Sequence, residues 1–177
     1  MHAKKYRTTV IRQKRQLIFS RKRAVFANEN APPANQPQNR AKNLAKPTHL
    51  TTLILDYPNV TFDIFHIGYP WTSEIVAMAK MLPNVVADMA WAHIISPKKS
   101  VDTLSDMLDA VPANKIFGFG GDYAIIDCVV GHKELAVRNI SHALAEKVED
   151  GYMDAARAKE IGKLILHDNP KRLYFGE

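Results

Sequence analysis

Beyond residue 47 the hydrophobic positions follow two alternating rhythms, one helical and one extended. Leu50, Leu53 and Ile54 stand at helical spacing and predict a helix over 49–57 that stops at Pro58. The run VTFDIF over 60–65 is β-branched and aromatic and predicts a strand. A helix over 72–82 follows, with Ile75, Val76, Ala79 and Leu82 on one face, and then a strand over 85–89. Val101, Leu104, Leu108 and Val111 place a helix over 100–111, and 115–119 gives a third strand. Val137, Ile140, Leu144 and Val148 mark a helix over 134–148, and a last helix over 154–167 is closed by Asn169–Pro170. Strands separated by helices of this length imply parallel β–α units with right-handed crossovers, so the fold class is α/β.

The first 46 residues have a different texture. Charges interrupt their apolar groups, including Leu17–Ile18–Phe19, before a secretory core can form. Residues 27–47 are rich in Asn, Pro and Gln and read as loop or disorder. The chain therefore divides into a basic, largely irregular arm over 1–46 and an α/β domain over 47–177. Charge sharpens the division. The arm carries twelve Lys and Arg against the single acid Glu29, a balance of +11, whereas the remainder has twelve bases against seventeen acids, or −5. The overall net charge of +6 thus belongs to the arm. Phosphate contacts through the arm are an alternative role, but no RNA-binding signature or zinc-finger spacing accompanies its charge.

Composition removes other classes. Hydrophobic residues make up 46% and charged residues 24% of the chain, and no stretch approaches the ~20 apolar residues of a membrane span. The single cysteine, Cys128, excludes an internal disulfide framework and a multi-cysteine zinc site, which points to a reducing, cytoplasmic setting.

In parallel α/β folds reactive groups collect just past the carboxyl ends of strands. Those positions hold His66 with Tyr69, Trp91 with His93, and Asp122 with Tyr123, all polar or aromatic groups suited to ligand contact. Strand alternation groups Ile116, Gly118, Gly120 and Asp122 on the ligand side, together with Val85, Ala87, Met89, Trp91 and His93. It leaves Asp63 and Asp88 toward the helices, along with Phe117 and Phe119. His132, His142 and His167 read as surface or helix-terminal residues. GFGGD over 118–122 is not a phosphate loop: GxGxxG is absent and no Walker lysine follows.

The succession FHIGYPW, MAWAH and KIFGFGGDY, closed by ILHDNPKRLYF, resembles the C-terminal part of the amidohydrolase superfamily, in its branch of metal-dependent hydrolases and decarboxylases. The likeness covers about 47–177 and implies the last three strand–helix pairs of a TIM (β/α)8 barrel, an incomplete one. It implies that His66 and Asp122 are catalytic residues and ligands of a divalent metal, zinc or manganese. Asp122 would contact the metal or its water and shuttle a proton, while Trp91, His93, Tyr69 and Tyr123 would bind a small-molecule substrate. The His-x-His pair that the family carries after its first strand is absent here. The resemblance therefore also implies that the chain alone is inactive, needing the rest of a barrel or a second copy. A non-catalytic binding or structural remnant is the competing expectation.

Overall fold

A computed structural model of the chain describes residues 46–176, together with the backbone of two short strands nearer the amino terminus. These are β1 (Leu17–Ser20) and β2 (Arg23–Phe26). The three strands anticipated from the sequence follow as β3 (Thr61–Ile64), β4 (Val85–Asp88) and β5 (Ile116–Phe117). Among the described residues the sheet runs in the order β1-β2-β3-β4-β5 and is open; β2 to β5 pair in parallel, and β1 is antiparallel to β2. Both added strands lie in the arm, where the apolar stretches are too short to read against flanking charge. The rest of the arm lies outside the described residues.

Helices separate the parallel strands: α1 (Thr51–Asp56), α2 (Thr72–Met81), α3 (Ala92–Ile95), α4 (Pro97–Ala110), α5 (Asp127–Glu149), α6 (Ala155–Lys163) and α7 (Asn169–Phe175). β5 is shorter than the expected 115–119, α4 starts three residues before the expected 100, α3 was not expected, and two further boundaries differ for physical reasons. α5 begins at Asp127 rather than at residue 134, because Gly131 and His132 interrupt the apolar period without breaking the helix. Asn169–Pro170 does not end the last helix. A widened π turn, Leu164–Asp168, leads without a break into α7; Pro170 brings no N–H to this turn, and the Ile165 carbonyl accepts from the Gly118 N–H at 2.8 Å.

The core lies between sheet and helices. Phe62, Ile64, Val85, Ala87, Met89 and Ile116 pack with Ile75, Met78, Leu104, Met107 and Ile140. Each fully buried aliphatic side chain contributes about 1.5–3 kcal/mol. This corrects the expected facing: Val85, Ala87, Met89 and Ile116 lie against the helical layer. Gly118 belongs with them, since a Cβ there would meet Ile140 at 3.0 Å and Ile165 at 3.2 Å. Its lack of a side chain lets helices approach and does not make room for a substrate. Asp63 and Asp88 lie on the opposite face, at register positions shared with Val86 and Phe117.

Polar ties fix the connections. The Asn84 amide donates to the carbonyls of Ile54, Tyr57 and Val60 at 3.0–3.2 Å. Lys115 donates to the carbonyls of Ala79 and Leu82 that close α2. No helix among the described residues is long and apolar enough to cross a membrane.

Candidate functional site

Each of the three strand ends leaves the sheet through a left-handed residue. His66 and Ile67 have φ of 61° and 50°, Trp91 has 60° and Asp122 has 48°. Non-glycine residues rarely occupy this region, and such strain persists where the surroundings over-determine the backbone, often at functional sites. The turns also explain why strand alternation misjudged the facing. Parity cannot be carried past a residue that rotates the chain out of the pleat.

These turns bring His66 and Asp122 together. Nε2 of His66 lies 3.7 Å from Oδ2 of Asp122, with His66 buried and Asp122 about one-third exposed. Nδ1 of His66 donates to the carbonyl of Ala90 at 2.6 Å. Because a carbonyl only accepts, this assigns the proton to Nδ1 in the neutral ring and leaves the Nε2 lone pair facing the carboxylate. A proton on Nε2 would pair the ring with the carboxylate directly, and in the neutral ring two electron-rich atoms face each other across the same gap.

The aromatic groups extend from this pair. The Trp91 ring lies 6.4 Å from His66 and 5.9 Å from Tyr123, which meets His132 edge-on at 5.6 Å. Tyr69 follows the His66 turn and is partly exposed, and among the described residues no ring contact joins it to the others. His93 is fully buried in α3, where its Nε2 donates to the Gly118 carbonyl at 2.9 Å and Asn139 reaches Nδ1 at 3.4 Å. Burial, then the nearby His132, holds His93 below the usual imidazole range, against the pull of the Gly118 carbonyl. With both nitrogens engaged, His93 stands behind the site and braces β5.

Two functional candidates escaped the sequence. His132, expected at the surface, is buried among Phe119, Tyr123 and His93. Its ring nitrogens make no full hydrogen bond, although the Gly121 backbone lies near enough to favour the charged ring against a burial that disfavours it. Asp88 is buried at the end of β4 and accepts from the Ala90 N–H at 2.6 Å. Burial lifts its carboxyl to about 7, with the Asp122 charge adding and the Ala90 N–H opposing. Asp63, also buried, is raised as well, by desolvation and then by Asp88, while Tyr174 of α7 donates to its Oδ2. A buried carboxyl near a strand's end was the available signal for Asp88. Nothing in the sequence separated His132 from the exposed His142.

His66 and Asp122 can be tested as donors to a divalent cation. The donor set fits in part: a ring nitrogen and a carboxylate converge, and the ring's other N–H is braced by a carbonyl, as metal-binding histidines usually are. Among the described residues no group of three His, Cys, Asp or Glu side chains is disposed to hold a metal.

Fold and site together define an α/β protein with polar side chains gathered at the carboxyl ends of parallel strands. Residues 39–176 match the amidohydrolase family, and the chain belongs to that family. It is 30% identical over 139 residues to Protein fluG of Emericella nidulans, covering 75% of this chain and 16% of that protein. Uronate isomerase of Thermotoga neapolitana is 30% identical over 112 residues, covering 58% of this chain and 23% of the enzyme. The fold is similar to that of a Lactobacillus casei protein assigned as a metal-dependent hydrolase. That match has a TM-score of 0.61 at 19% identity, over 74% of this chain and 34% of the other. The chain thus spans less than a quarter of the curated relatives' length.

Proposed function

We propose that this chain supplies one wall of a metal-dependent hydrolase centre of the amidohydrolase type, acting on a small-molecule substrate. The observation that carries this reading is Nε2 of His66 facing the Asp122 carboxylate across 3.7 Å while Nδ1 is engaged by the Ala90 carbonyl. His66 and Asp122 would hold a divalent ion, zinc or manganese, which when bound lowers the pKa of water toward ~7. Asp122 Oδ2, part-exposed and beside the reaction space, is able to take and return a proton. Trp91 and Tyr123 offer an aromatic wall for the substrate, with Tyr69 at its outer edge. His93 acts on this wall from behind, through Gly118. A cytoplasmic setting is part of the proposal, in keeping with the free thiol of Cys128.

Catalytic metal sites usually use three or more protein ligands and an open position. The described residues give two, and the open sheet leaves the centre facing water, which weakens electrostatic stabilisation. The remaining donors would come from further barrel strands or from a second copy of the chain. The shortfall favours, as a second reading, a non-catalytic binding role for the same wall. Titration calorimetry of the chain with zinc, run beside a panel of esters and amides, separates the two. Weak zinc binding that His66→Ala and Asp122→Ala both abolish, without turnover, is the expected result. Tight one-to-one binding with turnover would make the chain an active enzyme by itself, and zinc binding indifferent to both substitutions would discard the site.

A further inference from the structure

We propose that Asp88 is the positioning residue of this site, aiming the His66 ring through the backbone of Ala90. The geometry is a relay. The Asp88 carboxylate accepts the Ala90 N–H at 2.6 Å, and the carbonyl of the same residue accepts Nδ1–H of His66, also at 2.6 Å. The next N–H, that of Trp91, donates to the Gly120 carbonyl at 3.3 Å. Residue 90 is therefore held from β4, from the His66 turn and from the segment after β5. Its position is further confined by Gly120, where a Cβ would stand 2.8 Å from the Ala90 Cβ.

Within this relay Asp88 is the anchor. It is buried, and it belongs to a strand hydrogen-bonded on both sides, whereas Ala90 belongs to a turn followed by the left-handed Trp91. An acceptor oxygen on a rigid strand fixes the Ala90 N–H in one place, whether or not the carboxyl carries its proton. With the Ala90 carbonyl fixed, the His66 ring has one orientation and one neutral tautomer, with Nε2 turned to Asp122. Asp88 touches no reacting group in this scheme; it acts through Ala90. The proposal rests on the reading of His66 Nε2 as the working atom, and its test is independent of turnover.

The test is nitrogen-15 NMR of the His66 ring in the full-length chain, above the imidazole titration range, with hydrogen exchange of the Ala90 amide. In the wild type, His66 is expected as the Nδ1–H tautomer and the Ala90 amide as protected. Asp88→Asn keeps an acceptor oxygen and should preserve both. Asp88→Ala should mix the tautomers and speed Ala90 exchange by roughly tenfold or more, as loss of a buried hydrogen bond implies. An Nε2–H tautomer in the wild type overturns the relay without any variant. So does a folded Asp88→Ala chain with wild-type tautomer and protection. If circular dichroism shows Asp88→Ala unfolded, Gly120→Ala presses on Ala90 from the other side. A folded Gly120→Ala chain with displaced Ala90 resonances and an unchanged His66 tautomer again overturns the proposal. Zinc titration of the same samples reports on the metal reading separately: a locked tautomer without zinc binding keeps the relay and rejects the metal.

Discussion

His66 Nε2 and Asp122 Oδ2 face each other across 3.7 Å although they leave the sheet from β3 and β5, with β4 between them. The approach depends on both turns being left-handed, at φ of 61° and 48°. It produces a gap that a proton on Nε2, or the cation proposed above, would bridge. Asp122→Asn keeps the shape of that gap and removes its negative charge. Zinc affinity should then fall by roughly tenfold or more, with a melting temperature near that of the wild type, because Asp122 is part-exposed. Calorimetry and a thermal melt on the same preparation check both halves.

Trp91 combines a functional ring with an unfavourable backbone. At φ of 60° it occupies a conformation that glycine adopts freely and alanine does not. Trp91→Gly should therefore unfold at higher urea than Trp91→Ala, by about 1 kcal/mol, reversing the usual preference for alanine. Both variants lose the contacts to His66 and Tyr123 equally, so the comparison isolates the backbone. Equal midpoints would show that the turn is not strained.

What could be read from the sequence follows from how locally each feature is encoded. VTFDIF and the 85–89 run announced β3 and β4 within a residue or two, because β-branched and aromatic residues stand between clear breakers. His66 and Asp122 were legible as a pair because parallel topology collects strand ends at one edge. The facing of Asp63, Asp88 and Gly118 was not legible. It depends on which side the helices cover, and the left-handed residues at 66, 67, 91 and 122 break the alternation that would carry that information to the site. His132 looked like any helix-end histidine until Phe119 and Tyr123, both outside its own helix, closed over it. The short apolar run Ala24, Val25 and Phe26 gave no warning of a strand partner as distant as β3.

Gly120 tests how tightly the turn after β4 is packed. A methyl group added there would stand 2.8 Å from the Ala90 Cβ and 3.3 Å from its Cα, so backbone must move. Gly120→Ala should cost about 1–3 kcal/mol in a urea melt. At Gly131, inside α5 and with open space around an added methyl, the same substitution should be neutral or stabilising. Equal effects at the two positions would mean that the turn gives way easily.

Asp88 gives the chain a distinctive dependence on pH. Its carboxyl sits at about 7 in the fold against an ordinary 3.8, raised chiefly by burial. Across that interval the folded chain holds a proton that the unfolded chain has released. Stability from this group is full below about 4 and is lost progressively as pH rises through about 7. Asp63, raised by burial and by Asp88, adds to the same slope. His93 and His132, held below 6.5 by burial, slope the other way: their contribution is present above 6.5 and lost as the solution becomes acidic. Asp88→Asn removes the first component and weakens that of Asp63, because an amide cannot charge, while its oxygen still accepts the Ala90 N–H. The stability of Asp88→Asn relative to the wild type should therefore grow with pH, by on the order of 2 kcal/mol between pH 5 and pH 8. Urea melts of both chains across that range measure the difference directly. Parallel curves would mean that Asp88 is ionised in the fold throughout and that its charge is compensated.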